Sequence, residues 1–408
     1  MISCSEAQRL IAQHKLSLKE ENIPLLEALG HVNARNLKAP ISLPVFDNSA
    51  MDGFALKSAD TQDATLEAPV RLSIRGVVKA GDSSSLAIRK GQACGLMTGA
   101  PIPKGTDAVL AKENVVVQDN FLIVKSPVSP GKNIRRKGEE IKKGQTVLSE
   151  GSVINPGTVG FLASMGIHHL YAYQIPKISL VATGSELTVP GNPLERGKIY
   201  DSNTAMIRAA LEGMRIRPFF TRKVPDRPDL IKKMIHFALK ESNILILMGG
   251  VSVGDFDYVK PILADSGVET IFWKVSQKPG KPLYFGKKEN CLVFGLPGNP
   301  ASVFTCFYEY VYPAIRFSMG YADAALSSEW IKLSQAIYPD QEKTLFIKAR
   351  VEPTQERQVT PLKHQQSHML SSFCQANSFV VVPGSKQVLE VGEKVEVHSL
   401  PYLCGGIS

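Results

Sequence analysis

Hydrophobic and polar positions change rhythm several times along this chain. From residue 3 to about 38, as in SEAQRLIAQHKL, apolar residues recur at three- and four-residue intervals, which predicts helix. Ser3 and Ser5 stand ahead of the run as candidate caps. Pro40, Pro44 and the sequence VFDNSAMDGFAL then break the pattern. Between about 54 and 143, VRLSIRGVVKAG, DAVLAKENVVVQ and NFLIVKSPV alternate apolar with polar, separated by Gly, Pro and Asn turns. That spacing predicts a small β-rich insert. GQTVLSEGSVINPGTVGFLASMG resumes short strands and a Gly-bounded helix, which would pack back on the N-terminal helices as one discontinuous domain.

From Pro176 the period switches again. KISLVATG, RIRPFFTRKV, NILILMGG and VETIFWKVS read as strands. TAMIRAALEGM, RPDLIKKMIHFALKES, VKPILADSG and SVFTCFYEYVYPAIRFSMG read as helices. Near-continuously apolar strands separated by helices predict a mostly parallel sheet covered on both faces. After residue 327, WIKLSQAI, TLFIKARVE, SFVVVPG and KVEVHSL return to strand alternation. The expected organisation is multidomain, α/β and β. Residues 1–46 with 144–175 form a discontinuous N-terminal helical domain, 47–143 a β-rich domain, 176–326 a three-layer α/β domain and 327–408 a C-terminal β domain.

Ligands of such sheets bind outside the carboxyl ends of the strands. Three candidate turns fall there: Thr183–Glu186, Gly249–Asp257 and Pro297–Ser302. Gly249, Gly250 and Gly254 allow close backbone approach, and Ser252 adds a hydroxyl. An ordinary strand–helix turn with Asp255 as cap explains the same glycines. Asp257 is a second carboxylate beside an anion-attracting turn, a setting that suits Mg²⁺ bridging to phosphate. In KPGKP, Pro279 and Pro282 stiffen a loop presenting Lys278 and Lys281, and a solvated surface turn is the plainer alternative. Thr183-Gly184-Ser185-Glu186 reads equally as a capping cluster. NSAMDG (48–53) and MTGAP (97–101) read equally as turn chemistry.

Composition narrows the ligand. The chain has 408 residues, 44% of them hydrophobic, enough for several cores. No run of about 18 apolar residues predicts a membrane span, and the N-terminus lacks a secretory pattern. Six cysteines without a CxxC pair read as reduced thiols, which predicts a cytoplasmic location. The net charge of +9 is dispersed, its tightest cluster running from Lys132 to Lys143, with no nucleic-acid signature. An anionic small ligand fits better than nucleic acid. GNPLERGKIY is not a P-loop, the adjoining His168 and His169 lack metal-ligand spacing, and no nucleophile triad stands out.

Taken in order, PVFDNSAMDGFAL, MTGAPIPKGTDAV, NIRRKGEEIKKGQTVL, VATGSEL, YDSNTAMI, GGVSVGDFDYVK, KPGKPLYFG, LPGNPASV and SHMLSS resemble the MoeA family, relatives of the gephyrin E domain. The match spans nearly the whole chain. The resemblance implies a MogA-like, molybdopterin-binding central domain and a C-terminal β-barrel. It implies Mg²⁺-dependent insertion of molybdate into adenylylated molybdopterin, forming molybdenum cofactor and releasing AMP. It also implies a homodimer whose site is completed by the partner's N-terminal half. A molybdopterin adenylyltransferase would act upstream, and apo-molybdoenzymes or their chaperones would receive the product. Carried over by motif, the catalytic positions are Asp52, Thr98, Glu186, Asp226, Asp257, Lys274 and Lys278. Substrate contacts fall on Gly250, Ser252, Lys281, Pro297, Pro300, Ser302 and Ser367, and Mg²⁺ on Asp257 and Glu186. Three positions depart from the family pattern: Glu140 replaces an aspartate, Lys348 an arginine, and Gln366 a glycine before Ser367. Lysine lacks arginine's fork, so an oxyanion contact at Lys348 is in question. Two rival readings follow the same scaffold: an interaction module of gephyrin type, and a pterin- or nucleotide-binding hydrolase using the sheet domain alone.

Overall fold

A computed structural model describes residues 1–83, 86–250, 258–339, 343–352, 356–384 and 388–401. Helix α1 (Cys4–Gln13) opens the chain, with Ser3 Oγ accepting the Glu6 amide hydrogen at 3.2 Å. The helix expected as far as residue 38 stops there. Pro24 and Gly30 disfavour its continuation, and Glu20–Pro24 instead pairs antiparallel with His169–Tyr173. Leu37–Lys38 pairs with Thr146–Leu148, and Asn48–Ser49 with Ile134–Arg135. The chain thus returns after the β-rich insert to the residues that precede it. Helix α2 (Pro156–Ser164), capped by Asn155, closes a small core around Leu25, Ala28, Ile154, Leu162 and Leu170. The apolar face of α1, Ala7 and Ile11, packs elsewhere, against the α/β core.

The insert is one six-stranded sheet. Alternate residues of its strands serve two cores, with Leu56, Ala93 and Leu110 on one side and Ala55, Cys94 and Val109 on the other.

In the α/β region the sheet order is Phe220–Val224, Ile178–Thr183, Ile244–Met248, Cys291–Leu296, Tyr284–Lys288, Glu269–Trp273. The first four strands are parallel, and Tyr284–Lys288 runs antiparallel to both its neighbours. Leu180, Ile246 and Phe294 face α3 (Ser202–Gly213) and α1. Val181, Leu245, Leu247 and Val293 face α4 (Pro228–Glu241) and α5 (Val259–Asp265). Both faces are therefore covered, as the apolar strands predict. The last helical segment runs as α6 (Pro300–Cys306), a π turn (Phe307–Val311) and α7 (Tyr312–Ser318). Pro313 lacks an N–H and crowds the carbonyl four residues back, which accounts for the widened turn.

Beyond it, Ser328–Leu333, Thr344–Val351, Gln358–Pro361, Ser378–Val382 and Lys394–Ser399 close into a five-stranded barrel. Gln277–Lys278, from the α/β region, adds to Thr344–Val351 in parallel, tying the lysine loop to the barrel. Among the described residues, no helix is long and apolar enough to cross a membrane. The five described cysteines are all free.

Candidate active site

A cleft of about 680 Å³ opens at the carboxyl ends of Ile178–Thr183, Ile244–Met248 and Cys291–Leu296. Thr183, Gly184 and Glu186 form one wall, and Gly249 and Gly250 the floor turn. Pro297 through Pro300 with Ser302 form the opposite wall, and Asp226, Pro282 and His368 border it. Another cavity, about 530 Å³, lies between α3 and the α6–α7 segment. It is lined by Met206, Tyr308 and Tyr312 with two arginines and no carboxylate, so it lacks the mixed chemistry of the cleft.

The floor requires its glycines. Gly249 and Gly250 have φ of 88° and 67°, which side chains rarely adopt. A Cβ at Gly249 would lie 2.6 Å from the Thr183 carbonyl oxygen, and one at Gly250 2.7 Å from Val259 Cγ2. Ser252, Asp255 and Asp257 lie outside the described residues.

The first wall is braced reciprocally. The Ser185 amide donates to Asp226 Oδ2 at 2.7 Å, and the Asp226 amide donates to Ser185 Oγ at 3.0 Å. Lys198 Nζ donates to the Ser185 carbonyl at 2.7 Å. One oxygen of Asp226 and the hydroxyl of Ser185 are thus committed to structure. Glu186 stays exposed on the wall, its carboxylate folded over Gly184.

At the opposite wall the amides that a helix start offers to an anion are already engaged. Pro300 has none, Ala301 donates to the Ser367 carbonyl at 2.9 Å, and Ser302 and Val303 donate to Asn299 O at 3.0 Å each. What the wall offers is therefore the Ser302 side chain and the turn itself. Asn299 Nδ2 donates to Ser367 Oγ at 3.1 Å, so Ser367 does reach the site. Asn203 Nδ2 donates to Gly298 O at 2.7 Å and joins α3 to the same turn. The buried Asp201 caps α3 through the amide and hydroxyl of Thr204.

The three lysines differ in setting. Lys278 and Lys281 are exposed on a loop that contributes Pro282 to the cleft. Lys274 has φ of 72°, and its Nζ lies 4.0 Å from the Trp273 ring centroid. None of the three lines the cleft itself. Lys348 settles differently from an oxyanion ligand. Only 2% exposed, it donates from Nζ to the carbonyls of His364 at 2.6 Å and Met369 at 3.1 Å. Burial pushes its pKa down to about 8. It holds the loop that carries Ser367 and His368.

Asp52 and Thr98 come together in the β-rich insert, not at the cleft. Asp52 Oδ1 accepts the Thr98 amide at 2.8 Å and its hydroxyl at 2.9 Å, and Lys112 Nζ approaches Oδ2 at 3.4 Å. The Thr98 amide, then its hydroxyl and Lys112, hold the Asp52 carboxyl below the usual range. Gly53 is required beside them, because a Cβ there would lie 2.2 Å from Leu110 O.

Sequence reasoning passed over Asn203, His368 and Gln277. Asn203 had a signal: an amide in the first turn of a helix that begins at a cleft. His368 and Gln277 had none short of tertiary structure.

Family models match in three blocks: the MoeA N-terminal region (domain I and II) over residues 2–166, a probable molybdopterin binding domain over 179–316, and the MoeA C-terminal region (domain IV) over 331–400. A molybdopterin molybdenumtransferase of Haemophilus influenzae is 33% identical over 99% of this chain and 100% of its own length. Molybdopterin molybdenumtransferase 2 of Mycobacterium tuberculosis is 32% identical over 98% of this chain and 100% of its own. The crystal structure of a molybdopterin biosynthesis MoeA protein from Pyrococcus horikoshii OT3 superposes with a TM-score of 0.84 at 29% identity. It covers 98% of this chain and 100% of that one.

Proposed function

We propose, on the premise that the chain belongs to the MoeA family, that its cleft inserts molybdate into adenylylated molybdopterin and releases AMP. The observation that carries this is the convergence of Glu186, Asp226, Gly250, Pro297, Pro300 and Ser302 on one cleft at the carboxyl ends of parallel strands. The glycine floor lets backbone approach the phosphates of the pterin. Lys278 and Lys281, with the hydroxyls of Ser302 and Ser367, supply the cations and donors that a tetrahedral dianion needs. Lys274 adds charge at the foot of the same loop. Binding and orientation are the chain's main contribution, because phosphoryl chemistry depends chiefly on positioning and charge.

The hard carboxylates on the cleft wall fit Mg²⁺, which uses one or two carboxylates together with phosphate oxygens. Glu186 would hold it, with Asp226 through its uncommitted oxygen and Asp257 by family resemblance. Bound there, the ion would neutralise charge on the phosphoanhydride. Glu186 otherwise serves to orient water or accept its proton.

Asp52 and Thr98 enter the reading through a symmetric dimer, in which the partner's β-rich insert closes the cleft. The four-domain division at residues 46/47, 143/144, 175/176 and 326/327 belongs to the same reading. So do a cytoplasmic setting, an adenylyltransferase upstream and apo-molybdoenzymes or their chaperones downstream. The test is to incubate purified protein with adenylylated molybdopterin, Mg²⁺ and molybdate, then measure AMP and reconstitution of a molybdenum apoenzyme. Neither product appearing would sink the reading.

A further inference from the structure

Gln277 is 1% exposed, although the next residue, Lys278, lies at the surface. Its Nε2 donates to the carbonyls of Pro279 at 3.1 Å and Gly280 at 3.3 Å. Its Oε1 accepts the hydroxyl of Tyr310, and the Cys4 thiol approaches it at 3.6 Å. Tyr310, fully buried, sits in the π turn of residues 307–311. The loop rests directly on this amide: a Cβ at Gly280 would lie 2.7 Å from Gln277 Nε2 and 2.5 Å from Cys306 Sγ.

Two backbone carbonyls need donors here, and one phenol needs an acceptor. A carboxamide of this length supplies both at once. A carboxylate would turn oxygen against the carbonyls. A leucine would strip the Pro279 carbonyl of its donor and leave the Gly280 carbonyl and the Tyr310 hydroxyl with only the weak thiol contacts of Cys306 and Cys4, a large penalty at a buried site. The π turn then gains a reason beyond Pro313, because it brings the Tyr310 hydroxyl to the acceptor side of the amide. π turns are frequent at functional sites.

We propose that Gln277, oriented by Tyr310, is a positioning residue that fixes the backbone between Lys278 and Lys281 and so sets the spacing of the two cations for an oxyanion. It touches no substrate and acts through the loop. The proposal rests on the proposed function for its oxyanion, and on geometry alone for its loop.

The test compares Gln277→Leu, Gln277→Glu and Tyr310→Phe with Phe307→Leu, a packing control in the same buried helical turn. Both Gln277 variants are expected to raise the molybdate KM by about ten-fold, as loss of a buried hydrogen bond implies, with kcat and the pterin KM within about twofold. Tyr310→Phe moves the molybdate KM in the same direction by less. Phe307→Leu lowers the melting temperature without moving it. Amide hydrogen exchange at Gly280, Lys281 and Leu283 gives a second readout, expected to quicken by about ten-fold in Gln277→Leu and not in the control. A KM change that follows melting temperature equally in the control, or exchange unchanged in Gln277→Leu, overturns the proposal. If wild-type protein releases no AMP, the proposed function fails, and the exchange comparison still decides whether Gln277 holds the loop.

Discussion

The carbonyl oxygen of Ser367 accepts the amide hydrogen of Ala301 at 2.9 Å, across the boundary between the C-terminal barrel and the α/β sheet. The barrel therefore caps the helix whose preceding turn forms one wall of the cleft. Its Ser367 hydroxyl is placed by Asn299, which donates to it at 3.1 Å. Backbone and side chain of Ser367 thus do separate jobs, and they can be separated by mutation. Ser367→Ala keeps the carbonyl cap and removes the hydroxyl. It should raise the molybdate KM by about ten-fold, one hydrogen bond to a charged ligand, and leave thermal unfolding unchanged. Steady-state AMP release against molybdate concentration measures this. An unaltered KM would remove Ser367 from the oxyanion site.

Lys348 gives a pH dependence with a defined sign. Burial lowers its folded-state pKa to about 8, from an ordinary value of 10.5. Between those values the unfolded chain holds a proton that the folded chain has released, so raising the pH favours the folded state. Below about 8 both states carry the charge, and the burial penalty is present in full. Lys348→Met removes this linkage and strips His364 and Met369 of a donor, costing about 1–3 kcal/mol. The stability gap between wild type and Lys348→Met should widen from about pH 7 to about pH 9.5 in urea unfolding. A gap that narrows over that range would show that the amine is not buried as a cation.

How far the sequence revealed this arrangement depended on the range of the interactions involved. The α/β strands were legible because Ile244–Met248 and Cys291–Leu296 are apolar throughout, and only a doubly covered sheet buries every residue. Helix α1 was legible only in part. Its period ran on past Gln13, where pairing between residues 145 to 153 positions apart, Glu20 with Tyr173 the farthest, prevailed over local preference. Thr183 and Glu186 could be placed at a strand end from sequence, whereas Asp226 came only with the family resemblance. The engaged amides of Ala301 and Ser302 could not, because one partner comes from a barrel loop 66 residues away. Lys348 was noticed as a substitution, but its inward direction is a product of barrel closure.

Asp52 and Glu186 allow the proposed dimer to be tested without a structure of it. Asp52 is held by Thr98 in the β-rich insert, and Glu186 lines the cleft. If a site takes Glu186 from one subunit and Asp52 from its partner, Asp52→Ala and Glu186→Ala proteins are each inactive. Unfolded together in equal amounts and refolded, they should recover about a quarter of wild-type AMP release, since half the dimers then hold one intact site. No recovery in the mixture, with wild type refolding normally, would place both residues in a single subunit's site.

The barrel is fastened to the α/β region by His398 and Glu309. His398 Nδ1 lies 2.9 Å from Glu309 Oε1, Glu309 is 2% exposed, and Glu396 Oε1 stands 3.3 Å from His398 Nε2. Gln8 Nε2, from α1, reaches Glu309 Oε2 at 3.5 Å. Desolvation lowers the His398 pKa, but the hydrogen bond and charge of Glu309, with Glu396, outweigh it and leave the value raised above 6.5. The stabilisation is therefore complete below pH 6.5 and is lost as pH rises through the folded-state value, where the unfolded chain has already released its proton. His398→Ala strands the buried carboxylate and should cost about 3 kcal/mol or more at pH 6. The chain has two tryptophans, Trp330 in the barrel and Trp273 in the sheet, so Trp273→Phe leaves fluorescence reporting on the barrel. In that background the barrel's urea midpoint should fall as pH rises from 6.5 to about 8, below the range in which Lys348 titrates, and Glu309→Gln should flatten the slope. A slope that persists in Glu309→Gln would assign it to another group.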